Sequence, residues 1–297
     1  MPKTQKKDSQ NVPGRILFLL PVSILFILFF IYPFIFTLIT SFSKWRGIGG
    51  MGFNGIANYV KILKDPTFRI AIRNNLIWAL CQGFIQVPLA CIVAMILVRH
   101  PKGWRFLRTV YYLPNVISTV ALAVVWVAVY NVTGPLNTIL KAVFGKEAVN
   151  WLGNPDTALF AVIFQTVIYI GYFMLILYAA ALTIPRELYE AAEIDGASTL
   201  QQEWHITLPM LKGSLITTIT LAMAYGMRHF ESTFLMTAGG PAYSTTTMGI
   251  TLYQKMDSLR YSEASTTGIF LIITGTIVIV LIRKIFGSDD PLSETAQ

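Results

Sequence analysis

Long apolar stretches alternate with shorter polar segments along the chain. Six apolar runs can be recognised, at 16–40, 75–98, 110–130, 159–182, 215–227 and 268–285. A helix needs about 20 predominantly apolar residues to cross the hydrocarbon layer of a membrane. The fifth run is the shortest, with weaker flanks from about residue 208. The pattern predicts an all-α, polytopic membrane protein with six transmembrane helices.

Composition supports a membrane protein. Hydrophobic residues make up 54% of the 297 residues and charged residues 13%, with a mean hydropathy of +0.59. An ordinary globular domain carries about 25% charged residues. Six spans leave space for connecting loops but for no large soluble domain. The energy for any transport must therefore come from another chain or from an ion gradient.

The net charge of +8 is best explained by membrane anchoring. Many basic residues lie beside the apolar runs, in the segments 3–15, 99–108 and 283–284. Short cytoplasmic loops are enriched in lysine and arginine, so the 99–108 loop is predicted to be cytoplasmic. An even number of spans then places both termini in the cytoplasm. No nucleic-acid partner is expected.

These observations divide the chain into provisional regions. The apolar run after the basic N-terminus lacks a small-residue cleavage site, so it is expected to remain as a spanning helix rather than a signal peptide. The predicted regions are a cytoplasmic tail at 1–15, a first helix at 16–40, an external loop at 41–73, a core of five helices at 74–285 that includes a cytoplasmic segment at 185–209, and a cytoplasmic tail at 286–297.

The cytoplasmic segment carries the most informative motif. It reads EAAEIDG at 190–196, and ITLP follows at 206–209. Pro185 and the acidic residues after it favour a helix start, and Gly196 tolerates the positive φ of a turn. A second short helix is expected before Pro209, where the chain would re-enter the membrane. The prediction is a helix-turn-helix knob, although helix propensity alone is equally compatible with an ordinary amphipathic surface loop.

The full spacing, from EAA through the glycine to ITLP, resembles the EAA motif of binding-protein-dependent ABC importer permeases. The likeness extends over roughly 74–283, and LP at 113–114, Trp126, GPLN at 134–137 and TAGGP at 237–241 resemble the carbohydrate (maltose-type) branch. Two positions depart from the family pattern. Lys212 and Gly213 stand where a basic residue and a proline are usual, and Glu203 lies in a stretch that is often richer in basic residues.

The resemblance implies a type I ABC importer permease fold in a bacterial or archaeal inner membrane. It implies four kinds of neighbour: a second, different permease, two cytoplasmic ATPase subunits, an external solute-binding protein and membrane lipid. ATP and Mg would be bound by the ATPase, and no cofactor is expected on this chain. In that family the knob fits a cleft on the ATPase, and the contact residues would be Glu190, Ala191, Ala192, Asp195 and Gly196.

Polar residues within the apolar runs are candidates for the transport path, because such residues are costly in a membrane unless they face protein or water. Amides and aromatic rings suit a neutral, hydroxyl-rich cargo. The alternative is that these side chains join helices by hydrogen bonds, and that residues 228–231 form an ion-paired cluster. The candidates are Gln86, Asn115, Ser118, Gln165, Tyr169, Tyr172, Tyr225 and His229, with Gln82, Thr119 and Arg228 beside them.

Other functions have little support in the sequence. The chain contains no phosphate-binding loop of the GxxxxGK[ST] type, and its three histidines are scattered, so neither an ATPase nor a metal site nor any catalytic residue is predicted. A secondary transporter would need a carboxylate or ion site within a span. Within the importer class, glycerol phosphates, polyamines and amino acids stay open as cargo. Cys81 and Cys91 would be about 15 Å apart on one helix, too far for a disulfide.

Overall fold

A computed structural model describes residues 12–287, which are predominantly helical. The chain begins with the helix Val12–Phe26, the π-turn Ile27–Ile31 and the helix Tyr32–Ser41. Leu17–Ser41 forms the first span, 25 residues long. A two-stranded antiparallel hairpin follows, with strands Ser43–Lys44 and Gly52–Phe53, and then the helix Ala57–Lys64. The expected external loop at 41–73 is therefore largely ordered into short elements.

The second span, Pro66–Val98, is longer than its apolar run. It consists of the helix Pro66–Cys81, the π-turn Gln82–Gln86 and the helix Val87–Val98, in all 33 residues. Its start is set by Asp65, whose side chain accepts a hydrogen bond from the backbone N–H of Thr67 at 3.0 Å, and by a proline at the first helical position. The predicted boundary at 73/74 falls inside this helix. Both cysteines are free.

The third span is not the continuous helix that the apolar run 110–130 predicts. The helix Trp104–Tyr112 and the 3₁₀ turn Leu113–Asn115 meet the helix Thr119–Val129 at an angle of 94°. Pro114 lies at the break, where its missing N–H and its ring prevent a regular helix from continuing. The helix Pro135–Phe144 follows.

The remaining spans also contain interruptions. The fourth span, Pro155–Ala181, comprises the helices Pro155–Val167 and Gly171–Ala181. The knob follows with the helix Arg186–Ile194. The fifth span bends by 69° at Leu211, between Thr199–Met210 and Lys212–Met227. The sixth span, Tyr261–Phe286, starts at residue 261 rather than 268. The second arm of the knob is the segment Thr199–Met210. It consists of the helices Thr199–Gln202 and Leu208–Met210, with the π-turn Glu203–Thr207 between them.

By length and composition, the described residues contain four helices able to cross a membrane, or six if each bent pair counts as one span. Six spans agree with the number of apolar runs. The segment 231–262, between the fifth and sixth spans, contains the helices Glu231–Thr237 and Met248–Asp257.

Each of the three π-turns in the described chain ends two residues before a proline. These prolines are Pro33, Pro88 and Pro209, and in each case the residue before the proline donates to the carbonyl five residues back rather than four. Proline has no N–H, and its ring crowds the carbonyl four residues earlier. Widening the preceding turn relieves that crowding without breaking the helix.

The second span lies at the centre of the packing. Its inner half packs against the fourth span through Ala90, Ala94, Met174 and Leu177, all of which are fully buried. Its outer half approaches the fifth span closely at Gly226, where an added methyl group would lie 2.6 Å from the backbone nitrogen of Ala79. Only glycine permits this approach. The first span, by contrast, exposes most of its apolar side chains.

Asn75, fully buried in the second span, joins three elements through its side chain. Its amide nitrogen donates to the carbonyl oxygens of Met227 at 2.8 Å and Gly226 at 3.3 Å, and its amide oxygen accepts from the backbone N–H of Met248 at 2.7 Å. The carbonyls belong to the end of the fifth span, where no further helical turn is available to satisfy them. One side chain therefore completes a helix C-terminus and a helix N-terminus together.

Asn74 makes the equivalent connection to the segment before Met248. Its amide nitrogen donates to the carbonyl oxygens of Ser244 and Thr246, each at 2.8 Å. Residues 245–247 are fully buried beneath it. The hydroxyls of Thr245, Thr246 and Thr247 are likewise paired within the protein rather than with water.

A buried carboxylate holds the helices Ala57–Lys64 and Met248–Asp257 against the sixth span. Glu263 forms ion pairs with Lys61 at 2.8 Å, with Lys255 at 3.2 Å and with Arg260. Lys255 also lies 4.0 Å from Asp65. Because Lys255 is largely buried, removal of the Glu263 charge would leave it with the more distant carboxylate of Asp65 as its compensation.

We expect Asn75→Ala to destabilise the protein strongly, because it leaves two carbonyls and one N–H without partners. A buried polar group that loses its partner costs about 1–3 kcal/mol, so the total is expected to be at least about 3 kcal/mol. The measurement is the thermal unfolding midpoint of the purified protein in detergent. Leu76→Ala is the matched control, since the neighbouring Leu76 is exposed; equal midpoints for the two variants would contradict the assignment.

Candidate transport cavity and coupling surface

A cavity of about 490 Å³ lies where several helices are irregular. Its walls come from the π-turn at 82–86, the break at 113–118, the break at 168–170 and the end of the fifth span. Irregular backbone is tolerated at membrane depth where it is buried in protein or lines a cavity. The lining residues are Gln82, Gln86, Pro114, Asn115, Ile117, Thr119, Leu122, Gln165, Thr166, Tyr169, Tyr172, Phe173, Tyr225, Arg228, His229, Phe230, Glu231 and Ser232.

The two helix breaks meet at Gly171, which begins the second half of the fourth span. A methyl group added there would contact the carbonyl oxygen of Tyr111 and would lie 2.7 Å from the amide nitrogen of Asn115. Glycine is therefore required for the third and fourth spans to approach at this point. The contact places Asn115 at the cavity wall.

Gln86 connects the second span to the break in the fourth span. Its amide nitrogen donates to the carbonyl oxygens of Thr166 and Tyr169, both at 3.1 Å. The helix Pro155–Val167 ends just there, and the carbonyl of Thr166 also accepts from the backbone N–H of Tyr169 at 3.1 Å. Gln86 therefore adds a donor at the end of the helix, and the two hydrogen bonds fix the orientation of its own side chain.

Gln165 and Tyr169 both line the cavity, but not as adjacent turns of one helical face. The helix ends at Val167, and Tyr169 lies within the break. Its hydroxyl oxygen accepts a hydrogen bond from the indole N–H of Trp126 in the third span. A spacing of four residues predicts that both side chains share one face of a continuous helix, and the end of the helix at Val167 makes that prediction wrong. Because of the break, the side chain of Tyr169 is directed toward the third span.

Aromatic and cationic groups form another part of the cavity wall. The rings of Tyr172 and Tyr225 meet edge to face with centroids 6.3 Å apart. The guanidinium of Arg228 lies 4.4 Å from the ring centroid of Tyr225. Within residues 12–287 Arg228 has no ion pair with Glu231, so the alternative of an ion-paired cluster at 228–231 is not what the structure contains.

His229 is held in place by stacking. Its ring lies 3.6 Å from that of Trp78, nearly parallel, and one ring nitrogen is 2.8 Å from the hydroxyl of Ser232. The position after the fifth span is thus anchored to the second span by an aromatic contact as well as by Asn75. This anchoring aligns the end of the fifth span with the cavity.

Seven of the eight path candidates named from the sequence lie in this wall. The exception is Ser118, which is exposed and precedes the helix Thr119–Val129 without lining the cavity. Sequence reasoning missed several lining residues that are apolar or small, because they carry no polar signal inside an apolar run. For the break in the third span, the available signal in the sequence was Pro114. The missed residues are Pro114, Ile117, Leu122, Thr166, Phe173, Phe230 and Ser232.

The knob has the predicted helix-turn-helix form. Arg186–Ile194 ends at Gly196, whose φ is +75°, and the backbone N–H of Ala197 donates to the carbonyl of Ala192 at 2.8 Å. This is the hydrogen-bond pattern of a glycine-terminated helix. Ser198 then caps the second arm. Glu190, Ala191, Asp195 and Gly196 are exposed, and Ala192 is half-buried.

Apolar side chains are exposed around this turn. Ile194 is 87% exposed, and Leu200 and Trp204 are also largely exposed. An exposed apolar surface with charged neighbours is typical of a protein-interaction site. The knob therefore has the surface chemistry of a docking element.

Glu203, the acidic departure from the family pattern, has a local explanation. Its carboxylate pairs with the guanidinium of Arg99 at 2.6 Å, and the same guanidinium donates to the side-chain oxygen of Gln202 at 3.1 Å. Arg99 directly follows the second span. The second arm of the knob is therefore attached to the C-terminal end of the second span, which lines the cavity.

Apolar spans, a cavity built at helix breaks and an exposed docking knob together define a membrane-embedded transport subunit. The chain belongs to the family described as the binding-protein-dependent transport system inner membrane component, whose model matches residues 86–289. It is accordingly an ABC transporter permease and a multi-pass inner-membrane protein. The resemblance seen in the EAA motif is confirmed.

Individual relatives agree with this assignment. The chain is 34% identical over 278 residues to the probable ABC transporter permease protein YurN of Bacillus subtilis, covering 89% of this chain and 93% of that protein. It is 30% identical over 286 residues to the trehalose/maltose transport system permease protein MalF of Thermococcus litoralis, covering 95% and 97%.

The fold is confirmed by a solved structure. A chain of a bacterial ABC transporter involved in the import of the acidic polysaccharide alginate matches with a TM-score of 0.80, covering 92% of this chain and 94% of that chain. The sequence identity is 22%, so this likeness concerns the fold alone. It supports the expected type I importer permease architecture.

We expect Arg99→Gln and Glu203→Gln to be coupled in a double-mutant cycle. The side chain of Arg99 is 33% exposed and that of Glu203 14%, so Arg99→Gln should cost more stability, because it strands the more buried charge. After allowance for solvent screening the coupling is expected to be about 1 kcal/mol. The measurement is the unfolding midpoint of each variant, with Lys102→Gln in the same loop as control. Strictly additive effects would refute the link.

Proposed function

We propose that this chain forms half of the translocation path of an ATP-driven importer whose cargo is a neutral sugar or oligosaccharide delivered by an external binding protein. The cavity carries the proposal. Its described wall combines four amides, namely those of Gln82, Gln86, Asn115 and Gln165, with tyrosine rings, and holds one cationic and one carboxylate side chain. Such a wall has donors and acceptors for hydroxyls and little net charge.

Each class of side chain has a role in this proposal. The amide of Gln165 can donate to and accept from sugar hydroxyls. The rings of Tyr169, Tyr172 and Tyr225 offer apolar faces that cover the C–H face of a sugar, while their hydroxyls add hydrogen bonds. Asn115 and His229 complete the polar lining. The described relative for trehalose and maltose is consistent with this cargo class.

Other cargoes fit the wall less well. A glycerol phosphate would favour several cationic side chains, and Arg228 is the single arginine or lysine among the described lining residues. A polyamine would favour several carboxylates, and Glu231 is the single one there. An ion-coupled carrier needs a carboxylate within a span, whereas Glu263 lies in the first turn of the sixth span and is occupied by three cations.

The knob is the proposed contact with a separate ATPase. Glu190 and Asp195 would supply charge at its surface, while Ala191, Ala192 and Gly196 allow close approach. ATP and Mg would be bound by two copies of that ATPase, and a second, different permease would complete the path. This arrangement places the knob and both termini in the cytoplasm. Closure of the ATPase would then move the spans as rigid bodies between inward-open and outward-open forms.

The function is tested by sugar uptake into proteoliposomes containing this chain with its partner permease, ATPase and binding protein. We expect ATP-dependent uptake of at least one of maltotriose, trehalose and arabinotriose. Gln165→Ala should reduce that uptake several-fold, since one neutral hydrogen bond contributes about 0.5–1.5 kcal/mol. Gln254→Ala, at an exposed position on an external helix, is the control. Absence of uptake of every sugar would reject the proposal.

Gly196→Asp tests the coupling surface. The position has a positive φ and open space around it, so the substitution should cost only about 1–2 kcal/mol of backbone strain while placing a charge on the docking surface. We expect loss of ATPase co-purification and of coupled hydrolysis. Gly145→Asp is the matched control, because Gly145 also has positive φ and open surroundings but lies in an external turn. ATPase retention by Gly196→Asp equal to that of the control would exclude the knob, and its cytoplasmic placement, as the docking site.

A further inference from the structure

The π-turn of the second span contains two buried amide oxygens without partners. The Oε1 atoms of Gln82 and Gln86 have no hydrogen-bond partner among the described residues, although both side chains line the cavity. The side chains are 4% and 3% exposed, respectively. Buried polar atoms are nearly always paired, so two orphans in one helical turn require an explanation.

The geometry defines what these atoms can bind. The amide nitrogen of Gln86 is committed to the carbonyls of Thr166 and Tyr169. Reversing that amide would set its oxygen against two carbonyl oxygens, so the free atom is an acceptor. Gln82 lies four residues earlier, on the same side of the helix. The pair therefore offers acceptors toward a ligand that carries hydrogen-bond donors.

The backbone explains why the two amides are presented together. Pro88 forces the widened turn, in which the N–H of Val87 donates to the carbonyl of Gln82. Such π-turns occur frequently at functional sites. Gly83, between the two amides, packs so tightly on the fifth span that an added methyl group would lie 2.6 Å from the side chain of Met223. Packing against the fifth span therefore holds the π-turn in place.

We propose that Gln82 and Gln86 form a hydroxyl-reading site of the transport path, in which their Oε1 atoms accept hydrogen bonds from neighbouring hydroxyls of the cargo. This inference rests on the proposed sugar transport. It adds the direction of the hydrogen bonds, because the cargo hydroxyls act as donors to the two amide oxygens. It also places the determinant of specificity on the second span. That span is the one attached to the knob through Arg99, so knob movement would shift the reading site itself.

The test uses Gln82→Met, which keeps the length of the side chain, removes the orphan acceptor and leaves both hydrogen bonds of Gln86 in place. Uptake is measured for the panel sugar that the wild-type complex imports, and for its singly deoxy and deoxyfluoro analogues. Fluorine removes the hydroxyl donor while retaining a weak acceptor. The binding protein is identical in all assays, so its own preference cancels when analogue-to-parent ratios are compared between variants.

In the wild-type complex we expect at least one deoxy analogue and the matching fluoro analogue to be imported roughly tenfold less efficiently than the parent sugar. Each analogue lacks one hydroxyl donor and therefore leaves a buried acceptor of the site unpaired. In Gln82→Met that penalty should disappear, while the parent sugar is imported less well. The variant should unfold at the same or a higher temperature than wild type, because an unpaired buried acceptor has been removed. Gln254→Met, at an exposed position, should change neither ratio nor midpoint.

Three outcomes would overturn the inference. Equal analogue penalties in wild type and Gln82→Met would remove Gln82 from the cargo contact. A lower unfolding temperature for Gln82→Met would show that the amide is structural. A fluoro analogue imported as well as the parent, beside a deoxy analogue that is not, would reverse the direction of the hydrogen bond. Failure of the wild-type complex to import any panel sugar is distinct, since it rejects the proposed function together with this inference.

Discussion

Helix interruptions inside a membrane are possible only when every freed backbone group finds a partner within the protein, and the amide side chains of the second span supply those partners. Asn75 satisfies the end of the fifth span and the start of the helix at Met248. Gln86 satisfies the carbonyls at the break in the fourth span. Without these donors the breaks would be too costly to retain, and the cavity that they create would close into regular helix packing.

The second span also contacts three separate regions of the molecule. Its N-terminal part is attached to the segments around Met227 and 244–248 by Asn74 and Asn75, its middle lines the cavity with Gln82 and Gln86, and its C-terminal end is attached to the knob through Arg99. From residue 86 to residue 99 an α-helix extends about 20 Å. A rigid element of this length can transmit movement of the knob to the cavity without deformation in between.

Much of this was predictable from local patterns. The six apolar runs gave the correct number of spans once each bent pair is counted as one, because hydrophobic length is a one-dimensional property. The knob was also recognisable, since Gly196 and the flanking helices form through contacts within a few residues. Seven path candidates could be chosen because polar side chains within apolar runs are conspicuous. The continuous third span and the shared helical face of Gln165 and Tyr169 were wrong, since periodicity extends a helix across a break.

The sequence by itself therefore determined the membrane class, the family and the residue types at the path, because length, hydrophobicity and motif spacing are local properties. Only the tertiary structure decided which polar groups are already satisfied and which are free. Gln86 and Thr166 are 80 positions apart, and Arg99 and Glu203 are 104. Partners so distant have no mutual signal in a single sequence, since their contact depends on how whole spans pack. That packing distinguishes the bonded amide nitrogen of Gln86 from its unpaired oxygen.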